Sequence, residues 1–177
     1  VNYNNEVVLL YSEIDPALHD PAAFAHPDDY YPKYFLVNGE PYVDGSSAPI
    51  PAGDVSQTTL IRMLNASLDD IVPTINGMNW DLIAEDGNRY PYPKTQYTAL
   101  LSAMKTKDAV IVPTQEGTFP VFDRRLNLAN ASAAPGGMLV QLEVGGAALT
   151  AANDSATVQE DTETLIDVLS NDDPLAT

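Results

Sequence analysis

The segment Pro73–Pro93 constrains the fold of this chain most strongly. It contains two turn signals, Asn76-Gly77 and Asp86-Gly87, in which glycine tolerates positive φ and Asn or Asp hydrogen-bonds the local backbone. Between them, Trp80, Leu82 and Ala84 fall on one face of an extended segment, and the acidic Asp81 and Glu85 fall on the other. This alternation predicts a strand with one buried face between two turns.

The end of this segment, Tyr90-Pro91-Tyr92-Pro93, limits how far the sheet continues. Proline has no N–H to donate to a ladder, so we expect the chain to leave the sheet here as an edge or crossover connection. The whole segment is therefore interpreted as a sheet corner. Glu85 and Asp86 resemble an acid/base pair, but an outward strand residue followed by a turn Asp explains them better.

Short runs of strand composition recur along the rest of the chain, with Gly- and Pro-containing turns between them. Glu6–Ser12 is continuously apolar at its centre, which predicts a strand buried on both faces. For Thr58–Asn65 the periodicity fits helix and strand, and its β-branched residues favour a strand. Further strands are predicted at Lys33–Tyr42, Tyr97–Ala103, Ala109–Val112, Gly117–Phe122 and Met138–Val144.

Loops are predicted between these strands. Residues 44–55 are expected to be a loop, and residues 13–32 a long ordered loop with a helical turn at Pro16–His19, capped by Asp15. Convincing helices are scarce in the sequence. The pattern predicts an all-β fold, a Greek-key β-sandwich or barrel.

Composition excludes several classes of function. The chain of 177 residues has 25 acidic and 8 basic residues, for a formal net charge of −17, and all the basic residues precede residue 126. Nucleic-acid binding is excluded because it needs clustered Lys and Arg. No run approaches the roughly 18 apolar residues of a membrane helix. Cysteine is absent, which excludes disulfides and thiolate metal sites and leaves the redox compartment undetermined.

A domain boundary is predicted at Gly145-Gly146, after the last strand. Residues 1–146 have the length of one β domain, whereas 147–177 form an acidic linker and extended C-terminal tail that is too short for its own core. We expect the tail to dock on the first domain, to pair with another molecule or to begin a further domain. Pairing of tail strands would produce a homo-oligomer.

Several runs together resemble the middle cupredoxin-like domain of a three-domain multicopper oxidase. The resemblance covers about residues 5–144 and rests on the order and spacing of its pieces. These are Tyr34–Gly39, Pro51–Gly53, Leu60–Ala66, Leu82–Gly87, Lys105–Val110 and Gly117–Phe119. One departure is Gly77-Met78-Asn79, where relatives often have a Gly-His pair; Met78 is expected to fill the same packing role.

The resemblance implies copper chemistry in the parent protein, outside this domain. An electron-transfer copper site uses two His and one Cys thiolate, and this chain has no Cys. Its two histidines, His19 and His26, lie seven apart in a Pro-rich loop and are weak metal candidates. Arg124, Arg125 and the loop tyrosines Tyr30, Tyr31, Tyr90 and Tyr92 are expected to make ion pairs or packing contacts, within the domain or with flanking domains.

The tail resembles the opening of a cadherin-like or bacterial Ig-like repeat, through Asn153–Asp161 and Asp167–Asp173. Ca²⁺ prefers six to eight oxygen ligands, and the tail is rich in them. The residues that would bind it are Asp154, Glu160, Asp161, Asp167, Asn171, Asp172 and Asp173. A solvated acidic linker is the alternative interpretation of these residues.

Two functions follow from these expectations. In the favoured one, the chain is a non-catalytic, copper-free spacer domain of a secreted or bacterial cell-envelope multicopper oxidase, packed between flanking cupredoxin domains. The parent would couple substrate oxidation to O₂ reduction, with its substrate set by other domains. The alternative is an extracellular β-sandwich adhesion or interaction module with no enzymatic role.

Overall fold

The computed structural model describes residues 2–20, 26 and 30–145 of the chain. The described residues form ten β-strands and one short 3₁₀ helix, Pro16–His19. In chain order the strands are β1 (Asn5–Ile14), β2 (Tyr34–Val37), β3 (Ile50–Asp54), β4 (Thr59–Asn65), β5 (Pro73–Ile75), β6 (Trp80–Glu85), β7 (Asn88–Gln96), β8 (Thr106–Ile111), β9 (Gly117–Asp123) and β10 (Leu139–Gly145).

The strands form two sheets. The larger sheet has the order β2-β1-β4-β8-β6-β7 and the smaller one β3-β10-β9-β5. β1 pairs with β4, and β10 with β3, in parallel, whereas the other pairs are antiparallel. Since most neighbours are not consecutive in sequence, the chain crosses repeatedly between the sheets. The all-β prediction is confirmed.

The core lies between the two sheets. Strand alternation directs Leu9, Met63 and Trp80 inward from the larger sheet, and Val121 and Leu142 inward from the smaller one, all of them nearly inaccessible to solvent. Burial of large apolar side chains contributes about 1.5–3 kcal/mol each, so this single core stabilises the whole described region. Met78 packs at its margin, half-buried, as its predicted packing role requires.

β6 follows the sequence only in part. Trp80 and Leu82 are buried in the core between the sheets, whereas Ala84, although buried, faces the outer side of the larger sheet because a bulge between Leu82 and Ala84 shifts the register. Asp86 and Gly87 both have positive φ, 47° and 76°, which matches a two-residue hairpin turn of the favoured handedness. The predicted strand and its second turn are therefore confirmed, whereas the prediction that Ala84 shares the face of Trp80 and Leu82 is wrong.

β1 differs from its prediction. Val7, Leu9 and Tyr11 are buried, but Val8 and Leu10 are 45% and 39% exposed, so only one face of the strand is covered. The expectation of burial on both faces was wrong because, within the described residues, no second layer packs on the outer face of the larger sheet. The apolar outer residues remain available for contact.

β7 corrects the expectation that the chain leaves the sheet at Tyr90–Pro93. β7 is the edge strand of the larger sheet, as the prolines require, but it continues to Gln96. Its register with β6 shifts, since Lys94 faces Leu82 whereas Arg89 faces Ala84. The extra residues between Arg89 and Lys94 form a bulge that accommodates both prolines without breaking a regular ladder.

Three other segments also differ from prediction. β3 lies within the predicted loop 44–55; it is an edge strand, where Pro51 is tolerated. β5, which spans three residues, was not predicted. The predicted strand Tyr97–Ala103 is irregular and follows β5 through isolated bridges, Thr74 to Thr98 and Ile71 to Leu101.

The predicted helical turn is present with its cap. Asp15 Oδ1 accepts a hydrogen bond from the backbone amide of Ala17 at 2.9 Å, and Oδ2 accepts one from Tyr31 at 2.8 Å. The bonds from Tyr31 and Ala17 lower the pKa of Asp15 below its ordinary value. Asp15 therefore joins the end of β1 to the chain that enters β2.

Candidate functional site

The two histidines lie in the loop between β1 and β2. His19 ends the 3₁₀ helix and is exposed, and His26 is exposed further along the same loop. Within the described ranges, no three His, Cys, Asp or Glu side chains converge as ligands of a metal ion would. Neither histidine lies between the two sheets, where the core is apolar.

Copper is the metal that the resemblance in the sequence implies, and the residues do not fit an electron-transfer copper site. An electron-transfer copper site requires a Cys thiolate with two His, and the sequence supplies no Cys and only two His in total. The donor set for such a centre is therefore missing from this chain. The seven tail residues predicted to bind calcium, and the predicted boundary after residue 146, lie outside the described residues.

Glu85 and Asp86, at the β6–β7 turn, are joined to lysines of β8 and the segment before it. Lys107 Nζ donates to Glu85 Oε2 at 2.8 Å, and Tyr90 Oη donates to the same oxygen at 2.7 Å. Asp86 pairs with Lys105 and accepts the backbone amide of Thr106 at 3.0 Å. These contacts tie the hairpin to β8.

The electrostatics of this group favour a structural role. Hydrogen bonds from Lys107 and then Tyr90 lower the pKa of Glu85, and the bond from Lys105 lowers the pKa of Asp86. Burial opposes the charge of Lys107, but its bonds to Glu85 and Tyr90 prevail and raise its pKa. Both carboxylates stay ionised at neutral pH, as ion-paired groups do and as a general acid does not.

Arg124 and Arg125, after β9, bind within the domain. Arg124 Nη1 donates to Tyr97 Oη at 3.1 Å, and its guanidinium lies 5.5 Å from the centre of that ring. Arg125 Nη1 donates to the carbonyl of Asp70 at 2.6 Å. The two arginines therefore connect the end of β9 to the segments that contain Tyr97 and Asp70.

A groove lies on the outer face of the larger sheet, with a volume of about 340 Å³. Its floor is apolar and its rim polar, with contributions from the N-terminal segment and from β4, β6, β7 and β8. We call it the outer-sheet groove. The floor includes Leu60, Ile83, Ala84 and Pro93, and the rim Tyr3, Arg62, Arg89, Tyr90 and Asp108.

The rim of the outer-sheet groove is organised around Arg62. Its Nε donates to Glu6 Oε1 at 2.7 Å, and Glu6 Oε2 accepts from Tyr3 Oη at 2.9 Å. Asp108 faces Arg62 across the β4–β8 pair. The groove was not predicted because its residues come from five separate segments, none of which carries a local motif.

A second surface feature is the exposed apolar strip beside this groove. Val8, Leu10 and Ile14 of β1 and Tyr34 of β2 are each about 40% exposed. Apolar residues grouped on one sheet face are typical of a surface that contacts another protein or domain. Sequence reasoning missed this strip because it placed β1 between two covered faces.

Several solved proteins have a fold similar to that of this chain. The blue copper oxidase from Nitrosomonas europaea aligns with a TM-score of 0.66 and 15% identity over 80% of this chain and 44% of its own. The multicopper oxidase mgLAC aligns with a TM-score of 0.69 and 19% identity over 90% and 47%. A copper nitrite reductase from Nitrosomonas europaea aligns with a TM-score of 0.65 and 16% identity over 81% and 50%.

These likenesses support the resemblance seen in the sequence and show a cupredoxin-like fold. The chain spans half or less of each of these three proteins. No protein-family model matches the sequence, and no curated protein does. Among the described residues, none of the helical structure is long and apolar enough to span a bilayer.

Proposed function

We propose that this chain is a non-catalytic, copper-free cupredoxin-like domain that separates copper-binding domains in a multicopper oxidase. The single observation that carries the proposal is a cupredoxin-like fold built from a sequence that lacks the Cys and paired His of a copper site. Such a domain supplies shape and rigidity rather than chemistry.

The interior of the described sandwich supports this role. Trp80, Tyr11, Leu9 and Met63 fill the space between the sheets and are almost completely buried. Close-packed interiors resist compression and transmit displacements, which suits a spacer that holds two other domains at a fixed separation. The parent protein would couple oxidation of its substrate to reduction of O₂ at copper centres held by those domains.

Less than half of each of these two oxidases aligns with this chain, as expected if the parent protein contains further domains. The chain spans 44% of the Nitrosomonas blue copper oxidase and 47% of mgLAC, so more than half of either protein lies outside the match. In a comparable parent, the remaining length would carry the copper ligands. We infer that the flanking cupredoxin domains contact the apolar strip formed by Val8, Leu10, Ile14 and Tyr34.

The compartment and the tail belong to the same proposal. A secreted or cell-envelope location accords with the acidic composition and with the resemblance of the tail to an extracellular repeat. Residues 1–146 would be the domain, and residues 147–177 the linker and the start of that repeat. Calcium binding at the tail carboxylates and pairing of tail strands between molecules are alternatives to docking of the tail on its own domain.

The experiment uses the full-length gene product. Copper content and O₂ consumption are measured for the unmodified protein and for Val8→Asp with Leu10→Asp, which places charge on the apolar strip. We expect stoichiometric copper and oxidase activity in the unmodified protein, and reduced activity in the double variant because the flanking domains lose their contact surface. The matched control, His19→Ala with His26→Ala, retains both.

The competing function is an extracellular adhesion or interaction module. The observation that favours it is the same apolar strip, which would then bind a separate protein. A full-length product that contains no copper and consumes no O₂ would contradict the spacer role and favour this alternative. Loss of activity in His19→Ala with His26→Ala would also contradict the spacer role.

A further inference from the structure

We propose that the acidic segment Asn153–Asp173 of this same chain docks in the outer-sheet groove. This interaction goes beyond the spacer role and does not depend on copper elsewhere in the protein. It rests on the charge of the groove, the charge of the segment and the position at which the described chain ends.

The outer-sheet groove carries positive charge that the described domain does not neutralise. Arg62 is paired with Glu6, but within the ranges that the structure describes no carboxylate pairs with Arg89 or Lys94. Arg89 lines the groove, and Lys94 Nζ lies 4.4 Å from the centre of the Tyr90 ring at its rim. Asp108 also lines the groove, where it faces Arg62, so the positive charge left without a paired carboxylate among the described residues is that of Arg89 and Lys94.

The segment beyond residue 146 has the complementary charge. It contains no Lys or Arg, and its carboxylates are Asp154, Glu160, Asp161, Glu163, Asp167, Asp172 and Asp173. It also contains apolar residues, among them Val158, Leu165 and Ile166. A segment of this composition matches a groove with an apolar floor and a basic rim.

The described chain ends close to the groove. Gly145 and Glu6 line one shared cavity at the β3–β10 edge, and Glu6 bonds to both Tyr3 and Arg62 of the groove rim. From Gly145 to Asp154 an extended chain reaches roughly 30 Å. Arg62 on β4 and Arg89 on β7 are separated by three strand spacings, about 14 Å. The acidic segment therefore reaches Arg89 and Lys94 of its own molecule.

The edge strand favours docking by side chains over strand addition. Pro91 and Pro93 remove two backbone donors from β7, and the bulge between Arg89 and Lys94 distorts this edge. A bound segment would thus pair its carboxylates with the two basic side chains and lay apolar residues over Pro93 and Ile83.

Zero-length carbodiimide cross-linking of the whole 177-residue chain tests the proposal, with products located by mass spectrometry. The expected product joins Lys94 to a carboxylate of Asn153–Asp173 within one molecule. Lys33, exposed in the β1–β2 loop, is the internal reference and should join the segment far less. Arg89→Gln removes one exposed ion pair between the groove and the segment. The yield of the cross-link at Lys94 is therefore expected to fall by about twofold to fivefold.

Arg124→Gln is the matched control, since it removes an exposed arginine after β9 and should leave the Lys94 yield unchanged. Equal effects of the two arginine variants would overturn the groove as the binding site. Equal yields at Lys94 and Lys33, or no product at Lys94, would overturn docking altogether. Products found only in covalent dimers would assign the groove to the segment of a second copy and contradict docking within one chain.

Discussion

Asp123 Oδ1 accepts a hydrogen bond from the backbone amide of Val72 at 2.7 Å, which ties the end of β9 to the loop before β5. Asp123 is completely buried, and its carboxylate also accepts from the backbone amide of Arg125 and from Asn127 Nδ2. One side chain thus satisfies three donors at the end of the sandwich.

Asp123→Ala is expected to lower the free energy of unfolding by about 2–4 kcal/mol, because it leaves these donors without an acceptor. Asp123→Asn keeps one carbonyl oxygen and should cost less. Asp44→Ala, at an exposed loop position, is the control and should change the free energy by less than about 0.5 kcal/mol. Urea unfolding measures all three, and equal losses for Asp123→Ala and Asp44→Ala would contradict the buried network.

Tyr11 and Tyr30 differ in whether their hydroxyls are bonded. Tyr11 Oη is buried and has no hydrogen-bond partner among the described residues, whereas Tyr30 Oη donates to Glu13 at 2.8 Å. Burial, with a smaller contribution from Asp123, raises the pKa of Tyr11 far above its ordinary value.

Removing the two hydroxyls should therefore have opposite effects. Tyr11→Phe is expected to raise the free energy of unfolding by roughly 0.5–2 kcal/mol, since it removes an unpaired buried polar group. Tyr30→Phe is expected to lower it by about 1 kcal/mol, since it removes a bond. Thermal and urea unfolding compare the pair, and destabilisation by Tyr11→Phe would show that its hydroxyl has a partner.

Gly53 and Gly45 share a left-handed backbone but differ in the space around them. A Cβ on Gly53, at φ +84°, would lie 2.1 Å from Asn5 Nδ2 and 3.1 Å from Thr59 Oγ1. A Cβ on Gly45, at φ +71°, would meet nothing within 4 Å. Asn5 Nδ2 cannot move freely, because it donates to Gln57 at 2.7 Å.

Gly45→Ala is expected to cost about 1–2 kcal/mol from backbone conformation alone. Gly53→Ala should cost a further 1–3 kcal/mol, roughly, through displacement of Asn5. Unfolding midpoints of the two variants measure the difference. Equal costs would mean that Asn5 rearranges without penalty.

The Glu85–Lys107 pair predicts how stability depends on pH. Folding lowers the pKa of Glu85, so its contribution is complete above the unfolded carboxyl value of about 4.3 and is lost as pH falls through the folded value. Folding raises the pKa of Lys107, so its contribution is present below about 10.4 and is lost as pH rises through the folded value.

Glu85→Gln should accordingly lower the urea midpoint at about pH 7, and this effect should shrink as pH falls below the unfolded carboxyl value of about 4.3. Glu40→Gln, on the exposed turn after β2, serves as the control and should show no such pH dependence. A Glu85→Gln effect that stays constant from neutral to acid pH would rule out the ion pair as its cause.

The features that the sequence predicted depend on neighbouring residues. The inward-facing Trp80 and Leu82 of β6, the Asp15 cap and the Asp86-Gly87 turn follow from alternation and turn chemistry within a few positions. β10 likewise alternates as predicted, with Leu142 and Val144 buried.

The missed features depend on contacts distant in sequence. β3 is a strand because it pairs with β10, although Pro51 and Gly53 give it the composition of a loop. The outer face of β1 is exposed because, among the described residues, no second layer packs on it. The apolar composition of the strand does not show whether such a layer is present. The outer-sheet groove combines five segments, and only the register of β4, β8, β6 and β7 brings Arg62 and Arg89 to one face.

The most direct measurement is the copper stoichiometry of the purified 177-residue chain after incubation with excess Cu(I) and Cu(II) and removal of unbound metal. Substoichiometric copper without the absorption of a Cu–thiolate site is expected, because the chain has no Cys and its two histidines lie in an exposed loop. His19→Ala with His26→Ala should give the same result as the unmodified chain. One tightly held copper per chain, lost in that double variant, would show that this domain is not copper-free.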